Sequence, residues 1–168
     1  MTKGAQTQFF GFPGIRGRKI VIAVDGSANA KYAFRWYLKH FRMPDDRVLF
    51  LHILQAPSLT AFSLNSLGSG PVEEWNKKHR ENEGRVRQIE EDYIAEGQAV
   101  ALNCAFLSEP AEKIGEGIIH TAQSLHADLI IMGTRGLRAV SRALLGSVSD
   151  FVTRQGVVPV TVVPSKNN

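Results

Sequence analysis

The segment GTRGLRAVSRALLGSVS, residues 133–149, contains the residue types of a phosphate-binding loop. Gly133 and Gly136 stand three positions apart, and Gly146 follows after nine intervening residues, directly before Ser147. Glycines permit positive φ and a close approach of the backbone, so their N–H groups can surround an anion. A helix that begins at Gly146 and Ser147 would add its positive end. The spacing is equally typical of a glycine-containing loop followed by a kinked core helix.

Two common phosphate-binding motifs are excluded. A Walker A loop requires Gly-Lys-Ser/Thr four residues after a glycine, and the chain has none. The dinucleotide fingerprint Gly-x-Gly-x-x-Gly is incomplete at Gly115 and Gly117, because His120 occupies the third position. We interpret this glycine pair as part of an ordinary helix.

Other polar residues suit either a functional or a purely structural role. Asp25 follows an apolar run and suits either a ribose or metal anchor or a helix-capping carboxylate. Arg135, Arg138 and Arg142 can pair with phosphate, although the last two share a helical face that is equally suited to solvent. The five histidines show no metal-ligand spacing, Cys104 is expected in the core, and no base is evident that would activate Ser147 as a nucleophile.

Apolar strand-like runs alternate with helical periodicity along the rest of the chain. The runs RKIVIAVD, RVLFLHIL, VALNCAFLS, DLIIMG and VVPVTVV predict strands, and helix-length segments separate them. Ser27 is the expected N-cap of the first helix, and Pro110 is expected in the first turn of the third. The order predicts an α/β fold, a doubly wound, Rossmann-like, five-stranded parallel sheet with helices on both faces. The turns VDGS and MGTRG should then meet at the carboxyl edge.

Composition favours one globular domain. The chain has 168 residues, a net charge of +4 and a single cysteine. The sequence has no Lys/Arg stripe and no long apolar run, so we expect neither a nucleic-acid partner nor a membrane span. We expect a cytoplasmic protein. Residues 1–17 are expected to form a flexible tail before a domain at 18–168, and residues 55–72 a long loop.

Several motifs resemble one family in the right order. GTRGLRAVSRALLGSVSDFVTRQGVVPVTVV is similar to the C-terminal signature of the universal stress protein family in its ATP-binding branch, Gly-x2-Gly-x9-Gly-Ser/Thr. KIVIAVDGSANAKYAFRWYL resembles the first strand, turn and helix of that family. LFLHIL and EPAEKIGEGIIHTAQSLHADLIIMGTRG match its pattern as well, so the resemblance covers about residues 18–164.

The resemblance implies an adenine nucleotide, ATP or else AMP or ADP, bound with Mg²⁺ across the carboxyl edge of the sheet. The residues nearest adenine and ribose would be Ala23, Val24, Asp25 and Ile53. Ribose and phosphates would contact Met132, Gly133, Gly136, Gly146, Ser147, Val148 and Ser149. The family also implies a homodimer through the last strand, residues 159–163. One departure from its pattern is Gly156-Val157-Val158, in the turn before that strand.

The implied function is that of a nucleotide-dependent regulatory protein with at most slow hydrolysis of ATP, since binding groups are visible and a general base is not. Two alternatives stay open. One is a true ATPase or nucleotidyl-transfer enzyme, in which Asp25 or a metal-bound water activates the attack. The other is an interaction module that binds no ligand.

Overall fold

A five-stranded parallel sheet with helices on both faces forms the protein. In chain order the elements are β1 Lys19–Ala23, α1 Ala28–His40, β2 Arg47–Gln55, α2 Val72–Ala99, β3 Asn103–Ala111, α3 Ile114–Ser124, β4 Leu129–Thr134, α4 Ser147–Gln155 and β5 Val160–Pro164. The strand order is β3-β2-β1-β4-β5, with every pair parallel. The predicted doubly wound α/β fold is confirmed.

The computed structural model describes residues 17–55, 72–134 and 146–165, and for residues 72–81 only the backbone. Residues 1–16 of the expected N-terminal tail, nearly all of the 55–72 loop, residues 135–145 and residues 166–168 lie outside the described residues. Gly136 and the arginines at 135, 138 and 142 belong to the segment 135–145. Within the described ranges, no helix is both long enough and apolar enough to cross a membrane.

The strand order reverses between β1 and β4. In register, Ala23 pairs with Leu51 of β2 on one side and with Met132 of β4 on the other. The helices that follow these two strands, α1 and α4, lie on opposite faces of the sheet, an arrangement that opens a crevice at the carboxyl ends of the strands. The turn VDGS therefore lies beside the end of β4, which includes Met132, Gly133 and Thr134 of MGTRG, while Arg135 and Gly136 lie outside the described residues.

Each face of the sheet has its own apolar core. Helices α1 and α2 cover one face, where the Phe34 and Phe50 rings meet edge to face with centroids 4.8 Å apart and Tyr93 packs on both. Helices α3 and α4 cover the other face through residues such as Ile118 and Val152. Burial of each of these large side chains contributes about 1.5–3 kcal/mol. This packing holds the carboxyl ends of the strands in fixed relative positions.

Helix α1 begins as the sequence predicts. Ser27 is its N-cap, and the Ser27 hydroxyl oxygen accepts a hydrogen bond of 3.2 Å from the Ala30 N–H. The buried stripe, Ala30, Ala33, Phe34 and Tyr37, has helical spacing. The first turn of α1 is thereby anchored next to the end of β1.

The third helix begins later than the sequence predicts. Pro110 lies in β3, paired in register with Leu54, and α3 begins only at Ile114. Strand β3 is an edge strand, where a proline that lacks an N–H is tolerated on the unpaired side. The expectation that Pro110 opens the helix was therefore wrong. The same strand begins at Asn103, three residues later than the apolar run suggests.

Candidate functional site

A cleft of about 390 Å³ lies at the carboxyl edge of the sheet, over the boundary between β1 and β4. Its lining includes ten of the eleven binding residues expected from the sequence, namely Ala23, Val24, Asp25, Ile53, Met132, Gly133, Gly146, Ser147, Val148 and Ser149. The eleventh, Gly136, lies outside the described residues. The fold thus gathers residues from four separate segments into one concave surface.

Eight further residues line the cleft and were not among the expected binding residues, namely Ser27, Asn29, Ala30, Leu51, His52, Ile114, Ile118 and Thr134. Ser27 and Thr134 belong to VDGS and MGTRG, which were expected at this edge. Leu51 and His52 directly precede Ile53, and Thr134 follows Gly133, so adjacency to an expected residue was the available signal. Ile114 and Ile118 have helical spacing that indicates only a core face. Their contribution to the cleft depends on where α3 docks.

The floor of the cleft is apolar. Ile53, Ile118 and Met132 expose 7%, 3% and 5% of their surface and come from β2, α3 and β4. Ligand clefts of this size are usually lined by apolar side chains with a few placed polar groups. The floor therefore suits a flat, apolar group of a ligand, and the polar groups lie around its rim.

The turn after β1 forms one part of that rim. The Asp25 carboxylate oxygen Oδ1 accepts a 2.9 Å hydrogen bond from the Ser27 N–H, and Gly26 between them has φ +77°. Positive φ favours glycine, so VDGS is a turn whose residue types match its backbone. No described residue donates a hydrogen bond to the second oxygen, Oδ2. That oxygen remains available to a ligand.

The end of β4 approaches the first turn of α1 closely. A Cβ atom built at Gly133 would lie 2.3 Å from the Asn29 carbonyl oxygen and 2.9 Å from the Ala30 nitrogen. Gly133 lies inside β4, and the positive-φ glycines of the described residues are Gly17 and Gly26. Of the two properties that glycine permits, Gly133 therefore shows the close approach of the backbone and not positive φ. Glycine is needed here because a helix packs on the strand.

Helix α4 begins at the cleft. Gly146 is its N-cap, with φ −54° and ψ 148°, and no side chain of a described residue caps the helix. The first N–H groups of a helix have no intrahelical acceptor, so those of the first turn of α4 are directed out of its N-terminus. A Cβ atom at Gly146 would meet its nearest atoms at 3.6 Å, an ordinary contact. Packing within the described residues therefore does not require glycine at this position.

A hydroxyl cluster connects β4 to α4. The Gly146 N–H donates to the Thr134 hydroxyl oxygen at 3.3 Å, and the Ser149 hydroxyl donates to the Gly146 carbonyl at 2.9 Å. Thr134 and Ser149 are buried, with their hydroxyl oxygens 3.5 Å apart, whereas Ser147 is exposed. The Ser147 hydroxyl thus lies outside this cluster, whereas the Ser149 hydroxyl is used to hold the first turn of α4.

Charged groups are few on the described walls of the cleft. Asp25 and His52 are its two ionisable side chains, and the described residues contain no cluster of three or more His, Cys, Asp or Glu side chains that could hold a metal. A cation would therefore need oxygens from the ligand itself. Mg²⁺ is commonly held in this way, by one or two carboxylates plus the phosphates of a nucleotide.

Comparison with known proteins agrees with this architecture. The sequence model of the Universal stress protein family matches residues 17–164. Universal stress protein PHOS32 of Arabidopsis thaliana is 29% identical over 164 residues, and the match covers 87% of this chain and 64% of that protein. The chain therefore spans less than two thirds of the length of that relative.

Two solved structures have the same fold. A universal stress protein family protein from Arabidopsis thaliana with AMP bound has a TM-score of 0.66 at 18% identity, covering 89% of this chain and 92% of that one. A universal stress protein in complex with cAMP has a TM-score of 0.60 at 16% identity, covering 88% and 97%. The family model matches nearly the whole described chain, and the sheet order and the cleft agree with that match. The chain therefore belongs to the universal stress protein family.

Proposed function

We propose that the protein binds an adenine nucleotide, ATP in the first place, in the cleft at the carboxyl edge, and that occupancy regulates its interactions. The observation that carries the proposal is the cleft itself, with its apolar floor between the turn after β1 and the uncapped N-terminus of α4. The AMP and cAMP named for the two solved relatives support the choice of adenine nucleotides.

The distribution of groups around the cleft suggests how the nucleotide is oriented. Adenine would lie on the floor near Ile53, because a base is the flat, weakly polar part of the ligand. The ribose would lie near the free Asp25 oxygen, since a carboxylate accepts hydrogen bonds from hydroxyl groups. Phosphates would approach Gly146 and Ser147, where helix N–H groups and an exposed hydroxyl favour negative charge.

Mg²⁺ fits this arrangement as a companion of the phosphates. The metal would screen the repulsion between phosphates and the Asp25 carboxylate, which is the acidic group of the described lining. If the Asp25 oxygen Oδ2 bound the metal, it would do so in place of the ribose hydroxyl, because Oδ1 already accepts from Ser27. We therefore expect affinity for ATP to depend on Mg²⁺ and affinity for AMP to depend on it much less.

Hydrolysis of ATP should be slow at most. Of the two ionisable side chains of the described lining, Asp25 would be engaged with ribose or metal. His52 lies on β2, which β1 separates from the end of β4 and the start of α4, where the phosphates would lie. A base that activates water at the γ-phosphate is therefore missing from this part of the cleft. The regulatory reading is favoured over that of a true ATPase.

A homodimer through β5 is the second part of the proposal. Strand β5 is an edge of the sheet, Val160 and Val162 are half-buried, and Val157 just before it is 77% exposed. An uncovered edge strand with valine side chains pairs readily with another strand. Sedimentation should give a dimer for the wild type and a monomer for Thr161→Lys, and a monomeric wild type would contradict this part.

The experiment for the nucleotide itself is a thermal-shift series with ATP, ADP, AMP, cAMP and GTP, each with and without Mg²⁺. A bound ligand raises the free energy of unfolding according to its concentration relative to Kd, by about 2.7 kcal/mol at a hundredfold excess. We expect the adenine nucleotides to raise Tm and GTP to raise it less. Equal shifts with GTP would argue against an adenine pocket, and no shift with any of them would contradict nucleotide binding.

A further inference from the structure

Side chains from two other elements hold the main-chain carbonyls that follow β1. The His52 Nδ1 atom lies 2.8 Å from the Val24 carbonyl oxygen, in a half-buried setting. The Arg85 Nη2 atom donates to the next carbonyl, that of Asp25, at 3.3 Å. Val24 and Asp25 both line the cleft, so their orientation bears directly on what the cleft can bind.

The His52 imidazole binds a main-chain carbonyl just beyond the last paired residues of β1 and β2. The register of β1 with β2 runs to Ala23 and Leu51, and the Val24 N–H still donates to the Leu51 carbonyl at 2.9 Å. The Val24 carbonyl is then bound by the His52 side chain. A carbonyl oxygen only accepts, so Nδ1 must carry the hydrogen, in the neutral ring and in the protonated ring alike. This contact therefore does not depend on the charge of the histidine.

The direction of the contact follows from strand alternation. Val48 and Phe50 of β2 belong to the core under α1 and α2, whereas Leu51 and Ile53 face α3 and α4. His52 alternates with Leu51 and Ile53, so its side chain projects on the α2 side. Helix α2 contacts the same turn, since Ile89 side-chain atoms lie 3.1 Å from where a Cβ atom at Gly26 would be.

We propose that His52 is a positioning residue of the nucleotide site, which holds the Val24 carbonyl toward α2 and thereby fixes Val24 and Asp25 at the rim of the cleft. A carbonyl oxygen carries negative partial charge and would repel an anionic ligand if it turned inward. Arg85 supports the same orientation one residue further along. This inference rests on the proposed binding of nucleotide and assigns His52 no contact with it.

The test compares two substitutions that differ in one hydrogen-bond donor. His52→Asn keeps an N–H donor on the atom that corresponds to Nδ1, two bonds beyond Cβ, whereas His52→Leu keeps similar bulk without a donor. Loss of one such hydrogen bond should weaken Mg-ATP binding about tenfold in His52→Leu, and His52→Asn should stay within about threefold of wild type. His120→Leu, at an exposed position of α3, is the matched control and should bind as wild type does.

Amide hydrogen exchange of the ligand-free protein gives a second readout. If His52 holds the turn, exchange at Asp25, Gly26 and Ser27 is faster in His52→Leu than in wild type and is restored in His52→Asn. Unchanged ATP affinity in a folded His52→Leu, or an equal loss of affinity in both variants, would overturn the proposal. If His52→Leu does not fold, His52→Gln, whose amide lies one bond further out, takes its place with the same expectation.

The two proposals fail differently. If wild type binds no nucleotide, the proposed function is wrong, whatever the variants do. If wild type binds ATP and the turn exchanges at the same rate in all variants, only the positioning role of His52 is wrong.

Discussion

The backbone nitrogen of Gly146 donates to the hydroxyl oxygen of Thr134 at 3.3 Å, so the last residue of β4 holds the N-cap of α4 across twelve positions of sequence. This hydrogen bond fixes the uncapped end of α4 above the end of β4, beside the strand-order reversal. The position of the proposed phosphate site thus depends on contacts between the two ends of the intervening segment.

Gly146→Asp should separate helix stability from ligand binding. Aspartate is a preferred N-cap and carries negative charge at a helix N-terminus, so α4 should gain a few tenths of a kcal/mol. The same carboxylate would repel phosphates, so the Kd for Mg-ATP should rise by more than about tenfold. Gly146→Asn, a neutral N-cap of the same shape, is the control. Equal ATP affinity in both variants, measured by calorimetry, would place the phosphates elsewhere.

Thr134→Val should destabilise the protein without a change of side-chain shape. The substitution removes the acceptor of the Gly146 N–H and leaves buried polar groups unpaired, at a cost of about 1–2 kcal/mol. Urea unfolding measures this loss. Ser147→Ala is the control, where an exposed hydroxyl makes no hydrogen bond with another described residue, and it should change stability by less than about 0.5 kcal/mol. Equal losses at both sites would contradict the assigned role of Thr134.

Two glycine-to-alanine substitutions should have effects of opposite sign. At Gly133 the added methyl would overlap the backbone of Asn29 and Ala30, so Gly133→Ala should cost about 1–3 kcal/mol and lower the affinity for ATP. At Gly84, in α2, a Cβ atom meets nothing within 4 Å, so Gly84→Ala should stabilise by about 0.5–1 kcal/mol. Thermal unfolding of both variants measures these changes. If Gly133→Ala left stability unchanged, β4 and α1 could move apart at little cost in free energy, and the close contact would not explain the glycine.

Asp46 should give the protein an acid-sensitive component of stability. Burial opposes its ionisation, but hydrogen bonds from the Arg18 side chain, the Met43 N–H and the Tyr37 hydroxyl outweigh burial and hold the pKa of this carboxyl below its ordinary value. Because the pKa of Asp46 is lower in the folded state than in the unfolded chain, where it is about 4, its ionisation stabilises the fold at higher pH. This contribution is lost as pH falls through the folded-state pKa.

Asp46→Asn should therefore cost about 1–3 kcal/mol at pH 7, because the partly exposed Arg18 loses its buried anionic acceptor. The same variant should lose less stability than wild type between pH 5 and pH 2, since it lacks this titrating group. Asp45→Asn, at the exposed neighbouring position, is the control. Parallel urea-midpoint curves for wild type and Asp46→Asn over this pH range would contradict the assignment.

Local residue types were sufficient to predict much of the fold. Ser27 at an N-cap and the β-branched strands follow from short-range preferences, and the structure has both. A helix start at Gly146 was one of two interpretations that the spacing left open, and α4 begins there. Pro110 was misplaced, because its tolerance in β3 depends on that strand being at the edge of the sheet.

The cleft could be predicted only in part. The expected residues came from motifs and from family resemblance, which identify positions in sequence but not the reason for each residue type. Gly133 is glycine because α1 crosses it, and the contacts of His52 and Arg85 with the turn after β1 join residues 28 and 60 positions apart. Sequence periodicity carries no information about such pairings. They follow from the order of the strands and the docking of α2.

Nucleotide binding in the cleft is tested most directly by calorimetric titration of the wild-type protein with Mg-ATP, with Gly146→Asp titrated alongside. We expect saturable binding of one nucleotide per chain in wild type and a much weaker isotherm in Gly146→Asp, whose fold and Tm are retained. Absence of heat and of any thermal shift at millimolar ATP in wild type would show that the cleft is not a nucleotide site.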